Sequence, residues 1–102
     1  MAGIRYEFES TLVPWEARRE LWVFAHVPAD ISAELDDAPL PRGGFNSIKV
    51  TATLGSSRWS TSIFPESDGT GRRYALAIKK AIRIREGVDV GDHVRVAIET
   101  QL

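Results

Sequence analysis

The sequence predicts a mainly β fold, a small closed barrel of six strands with two short helices, on three observations. Apolar and polar residues alternate with period two in four separate stretches, the pattern of strands with one buried and one solvated face. Turns rich in glycine, proline, aspartate and serine separate these stretches, so many short strands share a chain of 102 residues. An alternating all-β chain leaves strand edges to protect, and closure removes them. A flat open sheet is the alternative architecture.

The elements follow in order. Ile4, Tyr6 and Phe8 alternate with Arg5, Glu7 and Glu9 to give the first strand. Glu20–Val27 (ELWVFAHV) is apolar on both faces and reads as a strand covered on both sides. Pro28–Leu35 reads as a helix, with proline at its start, Asp30 in its first turn, and Ile31 and Leu35 four apart on the core side. Two prolines and two glycines make Pro39–Gly44 a loop. Ile48, Val50, Ala52 and Leu54 alternate with Lys49, Thr51 and Thr53, and a tight turn at Gly55-Ser56-Ser57 leads into Arg58–Phe64. There Trp59, Thr61 and Ile63 share one face. Pro65–Gly71 reads as a turn suited to positive φ. Tyr74, Leu76 and Ile78 mark the fifth strand, Lys79–Glu86 a second helix stopped at Gly87, and Val94, Val96 and Ile98 the last strand. Register should be firm throughout, because a slip of one residue would turn each apolar set to water.

Length permits one domain over residues 1–102 and no second. Hydrophobic residues at 43% and charged residues at 26% are ordinary globular usage and argue against disorder. The absence of cysteine excludes disulfides, thiol catalysis, iron–sulfur clusters and cysteine-ligated zinc. Thirteen basic against fourteen acidic residues leave a formal charge of −1, which removes the usual argument for a nucleic-acid binder without excluding one. Glu7 and Glu9 interrupt the first stretch where a signal peptide needs an apolar run. The longest apolar run, Leu21–Ala25, is far short of the roughly 20 residues of a spanning helix. A cytoplasmic protein without membrane contact is expected.

Three segments, in this order and spacing, carry a family resemblance: LWVFAHVP running into a helix at Pro28, the hairpin from Phe45 to Pro65 with RWSTSIFP, and the closing stretch YALAIKKAIRIREGVDVGDHVRVAIE. Together they resemble the DUF1905 family of small bacterial proteins over nearly the whole chain. The resemblance implies a six-stranded double-split β-barrel, the architecture of AbrB-like transition-state regulators and antitoxins, and no settled biochemical function. A shared fold does not carry DNA binding with it.

Catalytic constellations do not assemble. His26 and His93 are the only histidines, too few for a metal site in a chain without cysteine. His26 reads as the polar tip of a strand and His93 as an exposed surface residue. Ser60 and Ser62 share a strand face, but no G-x-S-x-G elbow is present. Asp30, Glu34, Asp36 and Asp37 surround the first helix as a solvated face, and neither G-x-G-x-x-G nor a Walker A motif occurs. No enzyme activity, cofactor or metal is therefore expected.

Two features remain. Arg72, Arg73, Lys79, Lys80, Arg83 and Arg85 place six of the thirteen basic residues in one short segment. Such a cluster holds a phosphate or carboxylate, tracks a nucleic-acid backbone, or forms a solvated surface paired with the acids at Asp30–Asp37. The resemblance adds weight to Arg83, which either binds or caps the barrel through backbone carbonyls. The aromatic residues are the second feature. Trp59 and Tyr74 read as barrel interior, Trp22 and Phe24 as lying under a helix, in a pocket or at a dimer contact, and Trp15 as exposed in a polar loop. Combined, these features predict a binding module with a pocket for a small anionic or aromatic ligand at one barrel end, formed by Trp22, Trp59, Tyr74, Lys79 and Arg83. A dimeric regulator-like nucleic-acid binder and a protein-interaction module or homodimer are the competing readings.

Overall fold

The pairing of β4 (Ile48–Leu54) with β5 (Ser57–Ser67) sets the frame of the sheet. The turn between them is closed by Gly55 at φ +59°, a left-handed conformation that suits glycine. Their register, Val50 opposite Thr61 and Ala52 opposite Trp59, puts Ile48, Val50, Ala52, Leu54 and Ile63 on one face, and all of these are buried. In this computed structural model residues 3–17, 20–67 and 72–101 are described.

The remaining strands are β1 (Arg5–Thr11), β2 (Val13–Ala17), β3 (Glu20–His26), β6 (Arg72–Ala77) and β7 (His93–Thr100). All pairs are antiparallel, in the order β1-β7-β4-β5-β6-β3-β2. The sheet curls into a half-barrel, and its concave face gathers Phe8, Val23, Val50, Leu76, Val96 and Ile98 into one core. The mainly β class and two helices hold, but the expected closed six-stranded barrel does not form. Among the described residues seven strands make an open sheet, with β1 and β2 as its two edges and no ladder joining them.

The additional strand is β2, which the sequence reads as a polar loop because of Pro14 and the charges after it. Proline lacks the donor a central strand needs, but an edge strand tolerates it. Pro14 lies opposite Val23 on that edge. The side chain of Trp15, expected to be exposed, lies outside the described residues. The same rule explains Pro65. β5 runs on to Ser67 where a turn was expected, and Pro65 sits beyond the end of β4, where only β6 pairs with it. Residues 68–71 of that expected turn lie outside the described residues.

Helix α1 (Ala29–Asp37) starts after Pro28 and lies against β6. It buries Leu35 and Ser32, and Ile31 is packed against the core. Ser32 ties it down: its hydroxyl donates to Val27 O at 3.1 Å and accepts from Tyr74 N–H at 3.1 Å. Helix α2 (Lys80–Glu86) buries Ile82 and ends at Gly87, whose φ of +68° provides the left-handed stop. No helix among the described residues is long and apolar enough to cross a membrane.

Candidate ligand-binding site

The entry into α2 assembles the site. Ile78 N–H donates to Val23 O at 2.8 Å, so β6 stays bound to β3 up to the residue before Lys79. That bond sets Lys79 and the first turn of α2 beside Trp22. The Trp22 indole stacks on Phe24 with ring centres 6.3 Å apart and planes 11° from parallel, and it remains 43% exposed. That exposed ring face can stack on a planar ligand. A depression of about 250 Å³ opens between Trp22, Ala77, Lys79, Lys80 and Arg83, with Val23 and Ile78 at its floor.

Arg83 is the wall of this depression and is nearly buried, with 13% of its side chain exposed. Its Nη1 donates to Ile78 O at 2.7 Å, and its Nε lies 3.6 Å from Asp89 Oδ1. The guanidinium is thereby held across the end of β6, and neither contact uses Nη2. A second depression of about 360 Å³ lies on its other side, lined by Lys80, Arg83, Ile84, Val88, Asp89 and Asp92. Asp89 and Asp92 order this rim: Asp89 N–H donates to Asp92 Oδ2, and Val90 N–H to Asp89 Oδ1, both at 2.8 Å.

Of the five residues expected to form the pocket, three come together: Trp22, Lys79 and Arg83 line the same depression. Tyr74 lies elsewhere, fully buried under α1. Its hydroxyl donates to Asp36 Oδ1 at 2.7 Å and accepts from Arg42 Nη1 at 2.6 Å. Burial, and then the Asp36 hydrogen bond, push that hydroxyl's pKa above its usual value. Trp59 is half-buried against the core on the concave face of β5, and its Nε1–H is buried with no acceptor among the described residues. The basic segment does not pair wholly with the acids of α1, since Arg83 takes Asp89 as its partner. The side chain of Arg72 lies outside the described residues.

A family model described as a domain of unknown function (DUF1905) matches residues 8–98. The chain belongs to the DUF1905 family. Among curated proteins nothing matches it. The DUF1905 description carries no activity, so what this chain can do has to come from its own geometry.

Sequence reasoning missed two groups in this DUF1905 chain. Asp89 lies just before Val90-Gly91-Asp92, which reads as the turn into the last strand, and nothing local signals that its carboxylate meets Arg83. The two histidines also meet carboxylates from distant strands: His26 Nε2 lies 2.9 Å from Glu66 Oε2, and His93 Nε2 lies 2.9 Å from Glu9 Oε1. Both rings border a groove of about 460 Å³ that Thr11 and Arg73 also line. Pairs separated by 40 and 84 residues leave no trace in local spacing.

Proposed function

We propose that this DUF1905 domain is a non-enzymatic binding module that takes a small anionic ligand with an aromatic part in the depression beside Trp22. One observation carries the reading: an exposed, already stacked indole shares a single depression with Lys79, Lys80 and Arg83. An apolar wall with a few convergent polar groups is the usual make-up of a small-molecule site. The Lys79 and Lys80 side chains and the Arg83 guanidinium present several N–H donors to one depression, the groups that hold and orient an anion. Arg83 arrives with its rotamer fixed by Ile78 and Asp89, which lowers the ordering cost of binding.

The test is a nuclear magnetic resonance titration with indole-3-acetate and benzoate, following the Trp22 indole N–H, the Arg83 Nε–H, and the Lys79 and Lys80 amides. Saturable shifts confined to these groups, lost in Trp22→Ala, are expected. Absence of any saturable shift, or shifts centred on other residues, overturns the reading.

A further inference from the structure

We infer that the ligand of this site is a free aromatic α-amino acid, an inference that rests on the binding reading above and narrows it. The two depressions meet at Lys80 and Arg83, which line both. Across that wall the groups follow in the order aromatic, cationic, acidic. A ligand that answers them in turn has a ring, then an anion, then a cation. A free aromatic α-amino acid has that order, because its ring lies one methylene from the carbon that bears both carboxylate and ammonium.

The ring belongs against the exposed Trp22 indole, which lines one depression with Ala77 and Ile78. The carboxylate belongs at Lys79, Lys80 and Arg83. The contacts of Arg83 with Ile78 and Asp89 use Nη1 and Nε and leave Nη2 outside them. Guanidinium N–H groups bond carboxylates strongly. The ammonium belongs at Asp89. Its Oδ1 meets both Arg83 and the Val90 N–H, which leaves Oδ2 outside those bonds. The ion pair is the recognition element: a cation and an anion 3.6 Å apart meet an anion and a cation carried on one carbon, each charge beside its opposite.

The chain fixes this pair before any ligand arrives. Gly87 turns the backbone at the end of α2, and Val88 N–H donates to Arg83 O at 3.0 Å. That bond folds the chain back along the last turn, so Asp89 meets Arg83. The next turn is held as well: Asp92 Oδ2 accepts from Asp89 N–H at 2.8 Å, and Gly91 N–H donates to Leu12 O at 2.9 Å. Groups placed in advance lower the ordering cost of binding. An aromatic carboxylate without an ammonium sets its anion beside Asp89 with nothing to offset the repulsion. An aromatic amine leaves the three cations unanswered. A residue inside a chain or at one end of it lacks at least one of the two charges, so the pair selects the free amino acid.

Purified protein is titrated with L-tryptophan, with indole-3-propionate, which lacks the ammonium, and with tryptamine, which lacks the carboxylate. The readouts are the Arg83 Nε–H and Val90 amide resonances, which every variant below retains. L-Tryptophan is expected to bind at least ten-fold more tightly than either analogue, equivalent to about 1.4 kcal/mol. Asp89→Asn keeps an Oδ1 acceptor for Val90 and alters an exposed side chain, so the fold should persist, as an amide spectrum unchanged outside that turn would show. It is expected to weaken L-tryptophan about ten-fold without weakening indole-3-propionate. Trp22→Ala is expected to weaken both. Indole-3-propionate binding as tightly as L-tryptophan, or Asp89→Asn leaving L-tryptophan unchanged, overturns the amino acid while the aromatic-anion site stands. Tryptamine binding as tightly as L-tryptophan removes the anion, and both readings with it. If neither L-tryptophan nor indole-3-acetate shifts the site, both readings fall.

Discussion

Glu86, the last residue of α2, accepts a hydrogen bond from Ser57 Oγ at 2.6 Å in the β4–β5 hairpin. Ser56 adds its N–H at 3.1 Å and its hydroxyl at 3.0 Å. A negative charge at a helix C-terminus opposes the macrodipole, so the placement makes sense only through these tertiary bonds. They fasten the helix that carries Lys80 and Arg83 to the sheet.

These donors, Ser57 first, hold the Glu86 carboxyl below its usual pKa. A carboxylate with a depressed folded pKa stabilises the fold above its unfolded pKa, about 4.3 for glutamate. The contribution disappears as pH falls through the folded value. Glu86→Gln is therefore expected to melt below the parent protein at pH 7, with the difference closing in acid. Thermal melts from pH 7 down through the carboxylate range check this, and a difference that persists undiminished in acid would contradict it.

Gly55 lies under the same carboxylate. A Cβ there would collide with Glu86 Oε1, and φ is +59°. Left-handed backbone costs a non-glycine residue roughly 1–2 kcal/mol, so Gly55→Ala should destabilise by at least that much in urea melts. The double variant Gly55→Ala/Glu86→Ala should show less loss than the two single effects combined, because removing the Glu86 carboxylate also removes the collision.

These contacts illustrate what was legible in the sequence. Strand positions were, wherever one face is buried: Ile48–Leu54 and Tyr74–Ile78 declare themselves by alternation. The strand at Val13–Ala17 was not, because edge strands accept proline and polar residues that read as loop. Barrel closure is not legible either: without β2 the order would still leave β1 and β3 as edges, and alternation within a strand does not say which strands pair. Trp22, Lys79 and Arg83, which aromatic and charge clustering group together, line one depression. Tyr74 was drawn in by residue type alone, although its alternation with Leu76 and Ile78 already placed it inside. Asp89 was missed because its bond to Arg83 depends on where α2 stops.

Tyr74 should accordingly separate stability from binding. Tyr74→Phe removes the hydroxyl between Asp36 and Arg42. Loss of buried hydrogen bonds to charged groups costs about 1.5–3 kcal/mol. Chemical denaturation should show a loss of that order, while ligand-induced shifts at Trp22 stay as in the parent. A weakened ligand response at unchanged Trp22 geometry would place Tyr74 in the site after all.

Trp59 should tolerate loss of its polar atom. Its Nε1–H is buried without an acceptor among the described residues, and such a donor costs about 1–3 kcal/mol. Trp59→Phe gives up packing area but also removes that cost, so its stability should stay within about 1.5 kcal/mol of the parent, whereas Trp59→Ala should lose about 3–5 kcal/mol. Equal losses in the two variants would show that the indole nitrogen has a partner, such as an ordered water.

Phe45 presents the opposite case, an apolar ring with nothing to gain from its position. It is 92% exposed, and it and Asn46 adopt φ of +56° and +60° in a turn closed by Ser47 N–H to Gly44 O. A turn with both central residues left-handed prefers asparagine and glycine there. Phe45→Gly relieves roughly 1–2 kcal/mol of left-handed strain and gives back roughly 0.5–1 kcal/mol through a freer unfolded chain. A net gain of about 0.5–1 kcal/mol in urea melts is expected, with no loss of buried area to offset it. A loss instead would mean that the phenyl ring is covered in solution. Repeating the melts over a range of protein concentrations would then show whether a second copy covers it, because only that contact makes the midpoint rise with concentration.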